Sequence, residues 1–419
     1  MEPISNSSLP VNIALPGGLV LRQATPADRD GVVALNAELL GQDSKIEVAY
    51  LVDGGFEGVR LEDFLVVIEP DGRVVSSLCL IEQELRVGQT YLRIGNPEFV
   101  STLPQYQGRG LVRRLFEVLE GWQKKRGLAI NLIMGIPYFY RLFGYEYALE
   151  NYRPGYLYPA AHLGKLANLP DLEVRLIQES DAPALIKMYN ETAAQADIAL
   201  SLSDAGWGWS ARTRRLEESL IEDWIALDRG QPLAVGRIYL RGTTATMFRF
   251  GGNLAGQQAI IKKALALPGL EKMGIGSIRN SPLSQWVASL EPGQGDSYAN
   301  YVRVVDPVLA FKQLGPEFES RLSRSPLAGL SREVELGFYR FGVLLAFEAG
   351  KLVRVEARPA NPDPKIGIPP DLLPKILLGF RSLEELVRVY PDFIVAVPEE
   401  WGLMQILFPP LIPTLSFFI

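Results

Sequence analysis

A strand, a loop with two glycines and an amphipathic helix follow one another directly in the segment VSTLPQYQGRGLVRRLF. The strand ends before Pro104, and Gly127 can stop the helix after three basic residues that suit its negative end. Five apolar side chains share one face of this helix: Leu111, Leu115, Phe116, Leu119 and Trp122. The apolar run LAINLIM that follows predicts a buried strand. The chain must therefore contain a strand-loop-helix-strand unit here.

Backbone amides at the start of such a helix have no partner within the helix. They can hold a pyrophosphate, helped by the helix dipole and by glycines that let a ligand approach closely. Arg109, Arg113 and Arg114 add positive charge nearby. The same pattern also fits an ordinary strand-to-helix turn with solvated arginines, and the spacing alone leaves both interpretations open.

A second segment repeats the opening of the first. VRLIQESDAPALIKMYNE is similar to LRQATPADRDGVVALNAE, and Arg175 and Asp181 each follow their counterparts Arg22 and Asp28 by 153 positions. Thr25 and Pro26 suit the start of a helix in the first copy. The repeat predicts a duplicated strand-helix opening, and hence two related domains.

The length of 419 residues also predicts more than one core. A third segment begins with a helix start at Asp306-Pro307, continues through strands in EVELGFYRFGVLLAFEAGKLVRVEA and ends in helices interrupted near Gly379. We therefore expect an α+β chain with domains over 1–158, 159–302 and 303–419.

The amino-acid composition limits the kinds of ligand and cofactor that the chain can bind. With 42 basic and 48 acidic residues the net charge is -6, which argues against nucleic-acid binding and is compatible with a cationic substrate. One cysteine, Cys79, and one histidine, His162, exclude a disulfide framework and leave little room for a metal site, so no metal is expected. The sequence shows no signal peptide and no apolar run long enough to span a membrane, so we expect a cytoplasmic protein.

Two motifs resemble those of the GNAT acetyltransferase superfamily. Its pyrophosphate loop follows Gln/Arg-x-x-Gly-x-Gly/Ala, and Gln107-Gly108-Arg109-Gly110-Leu111-Val112 matches except at Val112, which replaces the small residue. Members often carry Tyr-x-x-x-Gly-Phe/Tyr after the next strand, here Tyr140 to Tyr145. The whole layout is similar to the Eis (enhanced intracellular survival) type, which has tandem GNAT folds followed by a sterol-carrier-protein-like α+β domain. That resemblance also implies a homo-oligomer.

The resemblance implies a role for each motif residue. Phe99, Val100 and Ser101 would bind the acetyl-pantetheine arm of acetyl-CoA through their backbone. Gln107, Gly108, Arg109, Gly110, Leu111 and Val112 would hold the pyrophosphate, and Gly135 and Ile136 would border the cofactor. Tyr140 would be the general acid, and the carboxylate of Ile419 the general base. The implied reaction is N-acetylation of a primary amine on an aminoglycoside, lysine or polyamine.

Other interpretations remain open at this point. Tyr140 lies in an aromatic run typical of core packing, and the apolar tail FPPLIPTLSFFI could be a strand packed on its own domain. Glu98 is a rival base, for which we favour a solvated residue at a strand edge. The glycine-rich stretch Arg249 to Gly256 is interpreted as a degenerate second cofactor loop. Alternative functions are an inactive lipid-binding or scaffold protein, and an acyltransferase with a longer acyl donor or an alcohol acceptor.

Overall fold

The computed structural model describes residues 11–56, 58–151, 156–163, 169–201, 203, 206–208, 219–290 and 298–415. Strands and helices are numbered along the chain. The strands of the described residues form three sheets, and each sheet contains both parallel and antiparallel pairs. The α+β class predicted from the sequence is confirmed.

The largest sheet has ten strands in the order β1-β2-β3-β4-β5-β6-β15-β7, with β10 joining β4 and β21 joining β10. Its strands are β1 (Asn12–Ala14), β2 (Val20–Gln23), β3 (Phe64–Ile68), β4 (Val74–Val87), β5 (Thr90–Thr102), β6 (Ile130–Ile133), β7 (Glu146–Asn151), β10 (Ile198–Leu200), β15 (Tyr298–Val304) and β21 (Pro413–Thr414). Its helices are α1 (Arg29–Leu40), α2 (Gln42–Val52) and α3 (Leu111–Arg126).

The second sheet has the order β8-β14-β13-β12-β11-β9. Its strands are β8 (Tyr156–Pro159), β9 (Glu173–Leu176), β11 (Leu220–Asp228), β12 (Gln231–Arg241), β13 (Thr244–Gly252) and β14 (Lys272–Ile275). The helices of this region are α4 (Ala160–Leu163), α5 (Ala182–Ala193), α6 (Leu254–Leu265) and α7 (Pro282–Ala288).

The third sheet has the order β18-β17-β16-β19-β20. Its strands are β16 (Arg332–Gly337), β17 (Gly342–Glu348), β18 (Lys351–Arg358), β19 (Ile366–Gly367) and β20 (Ile394–Val395). The accompanying helices are α8 (Pro307–Ser323), α9 (Leu373–Leu377), α10 (Leu383–Val389) and α11 (Pro398–Leu407).

The repeat predicted from the sequence is confirmed at the start of the first two segments. Each copy has a strand, a short 3-10 helix and a longer helix, and an arginine on the strand pairs with the aspartate that ends the 3-10 helix. Arg22 contacts Asp28 at 2.6 and 2.7 Å, and Arg175 contacts Asp181 at 2.6 and 3.1 Å. In each copy the aspartate also accepts the backbone N–H three residues earlier, so it fixes the turn that starts the helix.

Strands cross between the expected domains. β15, at the end of the second segment, enters the ten-stranded sheet between β6 and β7, while β8, at the end of the first, pairs with β14 of the second sheet. β15 thus lies across the 302/303 boundary expected from the sequence. The first sheet is therefore completed by residues far along the chain.

The third segment shares its apolar core with the first sheet. Phe311 and Phe318 of α8 are buried in one cluster with Leu92 and Ile94 of β5. The chain then leaves α11 and pairs through Pro413 and Thr414 with β10, so the tail up to Leu415 joins the ten-stranded sheet. This shared burial favours a structural role for the third segment, whose sterol-carrier likeness stays a prediction.

None of the described helices combines the length and hydropathy that a membrane span requires.

Candidate active site

β5 and β6 separate within the first sheet, and we call the gap between them the cleft. The two strands pair in parallel at Ile94–Ile130 and Gly95–Asn131, after which β5 continues to Thr102 beside β4, and β6 continues beside β15. A Cβ at Gly95 would lie 2.8 Å from Nε2 of Gln123, so Gly95 faces α3. Because side chains alternate along a strand, Asn96 and Glu98 face the opposite side. The cleft therefore has an α3 side and an α1/α2 side.

A bulge in β5 occurs at the residues predicted to bind the acetyl-pantetheine arm. The register with β4 shifts between Ser77–Ser101 and Cys79–Glu98, and Phe99 has a positive φ of 52°. Ser101 nevertheless faces the α1 side, because its hydroxyl donates to Oδ1 of Asn36 at 2.7 Å. A bulge leaves strand backbone outside the regular ladder, as a ligand that binds through backbone groups requires.

The glycine loop after β5 is exposed and open. Gly108 and Gly110 have φ values of 74° and 76°, and no heavy atom lies within 4 Å of a Cβ built at either one. Gly110 is the N-cap of α3 and has no side chain to cap the first amides of that helix. Arg109 lies over the ring of Tyr106 at 4.7 Å and donates to the carbonyl of Gln105 at 2.9 Å. The loop thus combines helix amides, positive charge and free space.

The glycine-rich stretch of the second segment has the opposite geometry. It also joins a strand to a helix, but a Cβ at Gly252 would lie 2.2 Å from the carbonyl oxygen of Leu233, and one at Gly251 would lie 2.5 Å from the backbone of Met188. The side chain of Asn253 caps α6 by accepting the N–H of Gly256 at 2.9 Å. These glycines are needed for packing, and the helix start already has its acceptor, as expected for a degenerate loop.

Tyr140 lies on the α3 side of the cleft, in a 3-10 helix over Phe139–Phe143. The side chain is buried, and its ring packs edge-on against Phe116 of α3 and Tyr145, with centroids 6.2 and 6.0 Å away. A Cβ at Gly135 would lie 1.8 Å from Cε2 of Tyr140, so only glycine leaves room for the ring. The aromatic packing foreseen from the sequence is real, and it holds the ring at the end of β6.

Buried polar groups support this aromatic cluster. Gln123 of α3 and Asn131 of β6 exchange two hydrogen bonds through their amides, and Asn131 also donates to the hydroxyl of Tyr145 at 2.9 Å. Burial raises the pKa of Tyr145, which keeps its hydroxyl protonated. The floor of the cleft is thereby fixed by satisfied hydrogen bonds.

Carboxylates collect on the α1/α2 side of the cleft. Glu98 is partly buried on a central strand, so its interpretation as a solvated residue at a strand edge was wrong. Burial, and then the negative charge of Glu47 on α2, raise the pKa of Glu98 to about 8. Burial and the charge of Asp43 raise the pKa of Glu47 to about 7. The amide of Asn96 hydrogen-bonds Glu98, while its buried Oδ1 has no partner.

Glu47 and Asn96 were missed by the sequence reasoning. Asp43 and Glu47 have the spacing that places them on one helix face with Leu51, which is buried, and that was a usable signal. Asn96-Pro97-Glu98 also interrupts a run of apolar strand residues. What the sequence could not give is that α2 faces β5.

The remaining predicted residues follow β6, lie in α3 or come at the end of the sequence. Gly135 and Ile136 follow β6, and the Ile136 side chain is 64% exposed. Val112 is partly buried and packs against the apolar core of the first segment. Ile419 lies outside the described residues. Among those that are described, no group of three or more His, Cys, Asp or Glu could hold a metal ion.

Comparison with known proteins agrees with this geometry. Residues 20–148 match the family model for an acetyltransferase (GNAT) domain. A search of curated proteins finds no significant match to the sequence.

Solved structures extend the similarity to the whole chain. A GCN5-related N-acetyltransferase from Anabaena variabilis has a TM-score of 0.69 at 14% identity, covering 95% of this chain and 99% of that one. A GCN5-related N-acetyltransferase from Kribbella flavida scores 0.67 at 16% identity, covering 96% and 100%. Eis1 from Mycobacterium abscessus scores 0.63 at 13% identity, covering 94% and 98%. At these identities the likeness concerns the fold.

The fold and the family match together define the class of protein. Residues 20–148 match a GNAT acetyltransferase domain, and this match supports acyltransferase activity. Its full length has the architecture of the GCN5-related and Eis structures.

Proposed function

We propose that this protein transfers an acetyl group from acetyl-CoA to a primary amine in the cleft between β5 and β6. The observation that carries the proposal is the contrast between the two glycine loops. Gly108 and Gly110 leave open space at an uncapped helix start, whereas Gly251, Gly252 and Gly256 are filled by protein. One loop therefore fits a pyrophosphate and the other does not.

The residues that would hold acetyl-CoA lie along one path. Amides from Gln107 to Val112 and the Arg109 guanidinium suit the pyrophosphate, and the bulged backbone of Phe99 to Ser101 suits the pantetheine amides. Gly135 and the exposed Ile136, which follow β6, would border the bound cofactor. When bound, acetyl-CoA supplies a thioester whose carbonyl an amine can attack directly.

Proton handling divides between the two sides of the cleft. An ammonium acceptor must lose a proton before it attacks, and the Glu98 carboxylate on the α1/α2 side can accept it. A carboxyl whose pKa is raised to about 8 is a stronger base than an ordinary glutamate, and it is still deprotonated in part near neutral pH. On the α3 side, the hydroxyl of Tyr140 can donate a proton to the departing sulfur. Neither step needs histidine, cysteine or metal.

The acidic side of the cleft also favours a cationic acceptor. The negative charge of Glu47 contributes to the raised pKa of Glu98, and an ammonium bound between the two carboxylates would remove that repulsion. The unpartnered Oδ1 of Asn96 can accept one of its N–H groups. These contacts support a polycationic amine, such as a polyamine, over an alcohol.

The test is release of coenzyme A thiol from acetyl-CoA with a panel of polyamines, aminoglycosides and lysine peptides. We expect turnover with at least one cationic amine and much slower turnover with neutral alcohols. Glu98→Gln should abolish most of it. If Glu98→Gln is fully active, the base is another group, and the Ile419 carboxylate predicted from the sequence is then tested by adding one residue after it.

A further inference from the structure

The loop that carries Tyr140 begins in an unfavourable backbone conformation. Tyr138 has φ 69° and ψ -35°, in the left-handed half of conformational space, and its side chain is 69% exposed. A bulky residue with positive φ costs of order 1–3 kcal/mol and persists only when its surroundings hold it. Two residues later comes Tyr140. The contact that stabilises the Tyr138 backbone therefore also influences the orientation of the Tyr140 ring.

The group that holds Tyr138 is a side chain from far along the chain. The backbone N–H of Tyr138 donates to the hydroxyl of Tyr301 at 2.6 Å. Tyr301 is fully buried on β15, the strand that enters the first sheet from the end of the second segment. It pairs with Ile133, the last residue of β6, so its hydroxyl reaches the loop as that loop leaves the strand.

The ring of Tyr301 is itself held in place. It stacks on Tyr147 with centroids 4.0 Å apart and planes 24° apart, and it packs at a tilt against Tyr140 at 5.8 Å. One side chain therefore contacts both the backbone that starts the loop and the ring that the loop presents.

The other end of the loop is anchored by charge. Glu146, at the start of β7, pairs with the buried Lys375 of α9 at 3.0 Å and with Arg141 of the loop at 3.4 Å. This ion pair restrains the loop, while Tyr301 contacts the Tyr140 ring directly, as Phe116 and Tyr145 also do.

We propose that Tyr301 is a positioning residue for acetyl transfer, whose hydroxyl fixes the backbone of Tyr138 and thereby aims the Tyr140 hydroxyl at the leaving sulfur. This inference rests on the proposed role of Tyr140 as general acid. A side chain from the strand between the second and third segments would then control proton donation in the first domain. A first domain expressed without β15 would lack this control.

The experiment compares two acyl donors in Tyr301→Phe, which keeps the ring and removes the acceptor. Acetyl-CoA releases a basic alkyl thiolate that needs a proton, whereas 4-nitrothiophenyl acetate releases a stable thiolate that does not. We expect Tyr301→Phe to lower kcat with acetyl-CoA by about 10-fold or more, with little change for the aryl donor and an unchanged Kd for acetyl-CoA. An equal loss with both donors, or no loss, overturns the proposal.

Tyr145→Phe is the matched control, because it removes a buried tyrosine hydroxyl bonded to Asn131 in the same cluster. It should lower stability without changing the ratio of rates for the two donors. Hydrogen exchange supplies a second measurement: the amides of residues 138–144 should exchange faster in Tyr301→Phe than in Tyr145→Phe, and equal exchange contradicts the proposal.

Tyr140→Phe distinguishes failure of the positioning role of Tyr301 from failure of the proposed general acid. If Tyr140→Phe is slow with acetyl-CoA while Tyr301→Phe is normal, the positioning role fails and the proposed function stands. If Tyr140→Phe is itself normal, the proposed acid fails, and the role of Tyr301 fails with it.

Discussion

The ring of Tyr140 occupies the space that a side chain at Gly135 would need, since a Cβ there would lie 1.8 Å from Cε2 of the ring. The glycine therefore determines where the proposed acid can lie. The sequence had suggested only that Gly135 borders the cofactor. The structure adds a second reason for glycine at position 135, which is to leave room for the Tyr140 ring.

Gly135→Ala should displace the Tyr140 ring, because the new Cβ would occupy its space, and the displaced ring would disturb its packing against Phe116 and Tyr145. We expect a loss of about 1–3 kcal/mol in the free energy of unfolding from overpacking, and a fall in kcat. Denaturant unfolding and steady-state kinetics measure both. Gly121→Ala is the control: it lies in α3 with no atom near its Cβ, and it should be neutral or stabilising.

Gly110→Glu should abolish acetyl-CoA binding, because it adds a negative charge at the helix start where the pyrophosphate would lie, in a left-handed conformation that glycine prefers. Calorimetric titration should show affinity reduced by about 10²-fold or more, an estimate for the loss of one charge-assisted phosphate site. Gly230→Glu has the same positive φ and the same open space in the β11–β12 turn, and it should bind normally. Unchanged affinity in Gly110→Glu would exclude this loop as the pyrophosphate site.

Tyr140→Phe should keep acetyl-CoA binding and lose turnover. The hydroxyl is needed only when sulfur leaves, so kcat should fall by about 10²-fold, a typical general-acid contribution. Parallel measurement of kcat and of the acetyl-CoA Kd distinguishes this from misfolding. Wild-type kcat across the pH range would return Tyr140 to a purely structural role in the aromatic core.

Glu98→Gln should lower kcat and raise the stability of the folded protein. Glu98 must be ionised to act as a base, so wild-type kcat should fall as the pH drops below about 8, and the variant should lose this dependence together with most activity. The folded state binds the Glu98 proton more tightly than the unfolded state, so its stabilising contribution is present below the ordinary glutamate pKa and is lost as pH rises through about 8. The variant should therefore gain in Tm, relative to wild type, more at pH 8 than at pH 5. Equal Tm differences at both pH values would show that Glu98 titrates normally.

Local patterns in the sequence predicted much of this site. The strand ending at Thr102, the helix from Leu111 to Arg126 and the strand from Ile130 follow from apolar periodicity, glycine and proline positions, which act over a few residues. The Arg22–Asp28 and Arg175–Asp181 pairs were visible because a duplicated turn preserves its spacing.

Contacts between distant segments could not be predicted in this way. Tyr301 reaches Tyr138 only because β15 enters the first sheet, and Glu47 approaches Glu98 only because α2 folds over β5. Periodicity describes which face of an element is buried, but not which element covers it. Glu98 was therefore interpreted as a solvated residue at a strand edge, although it lies partly buried on a central strand.

The most direct measurement of the central claim is coenzyme A release from acetyl-CoA, monitored with a thiol reagent while each cationic amine of the panel is added, together with mass spectrometry of the acceptor. We expect one equivalent of free thiol for each acetyl group gained by an amine nitrogen, and loss of both signals in Gly110→Glu. Thiol release that is independent of the amine, or an acceptor that gains no acetyl group although acetyl-CoA binds, would contradict it.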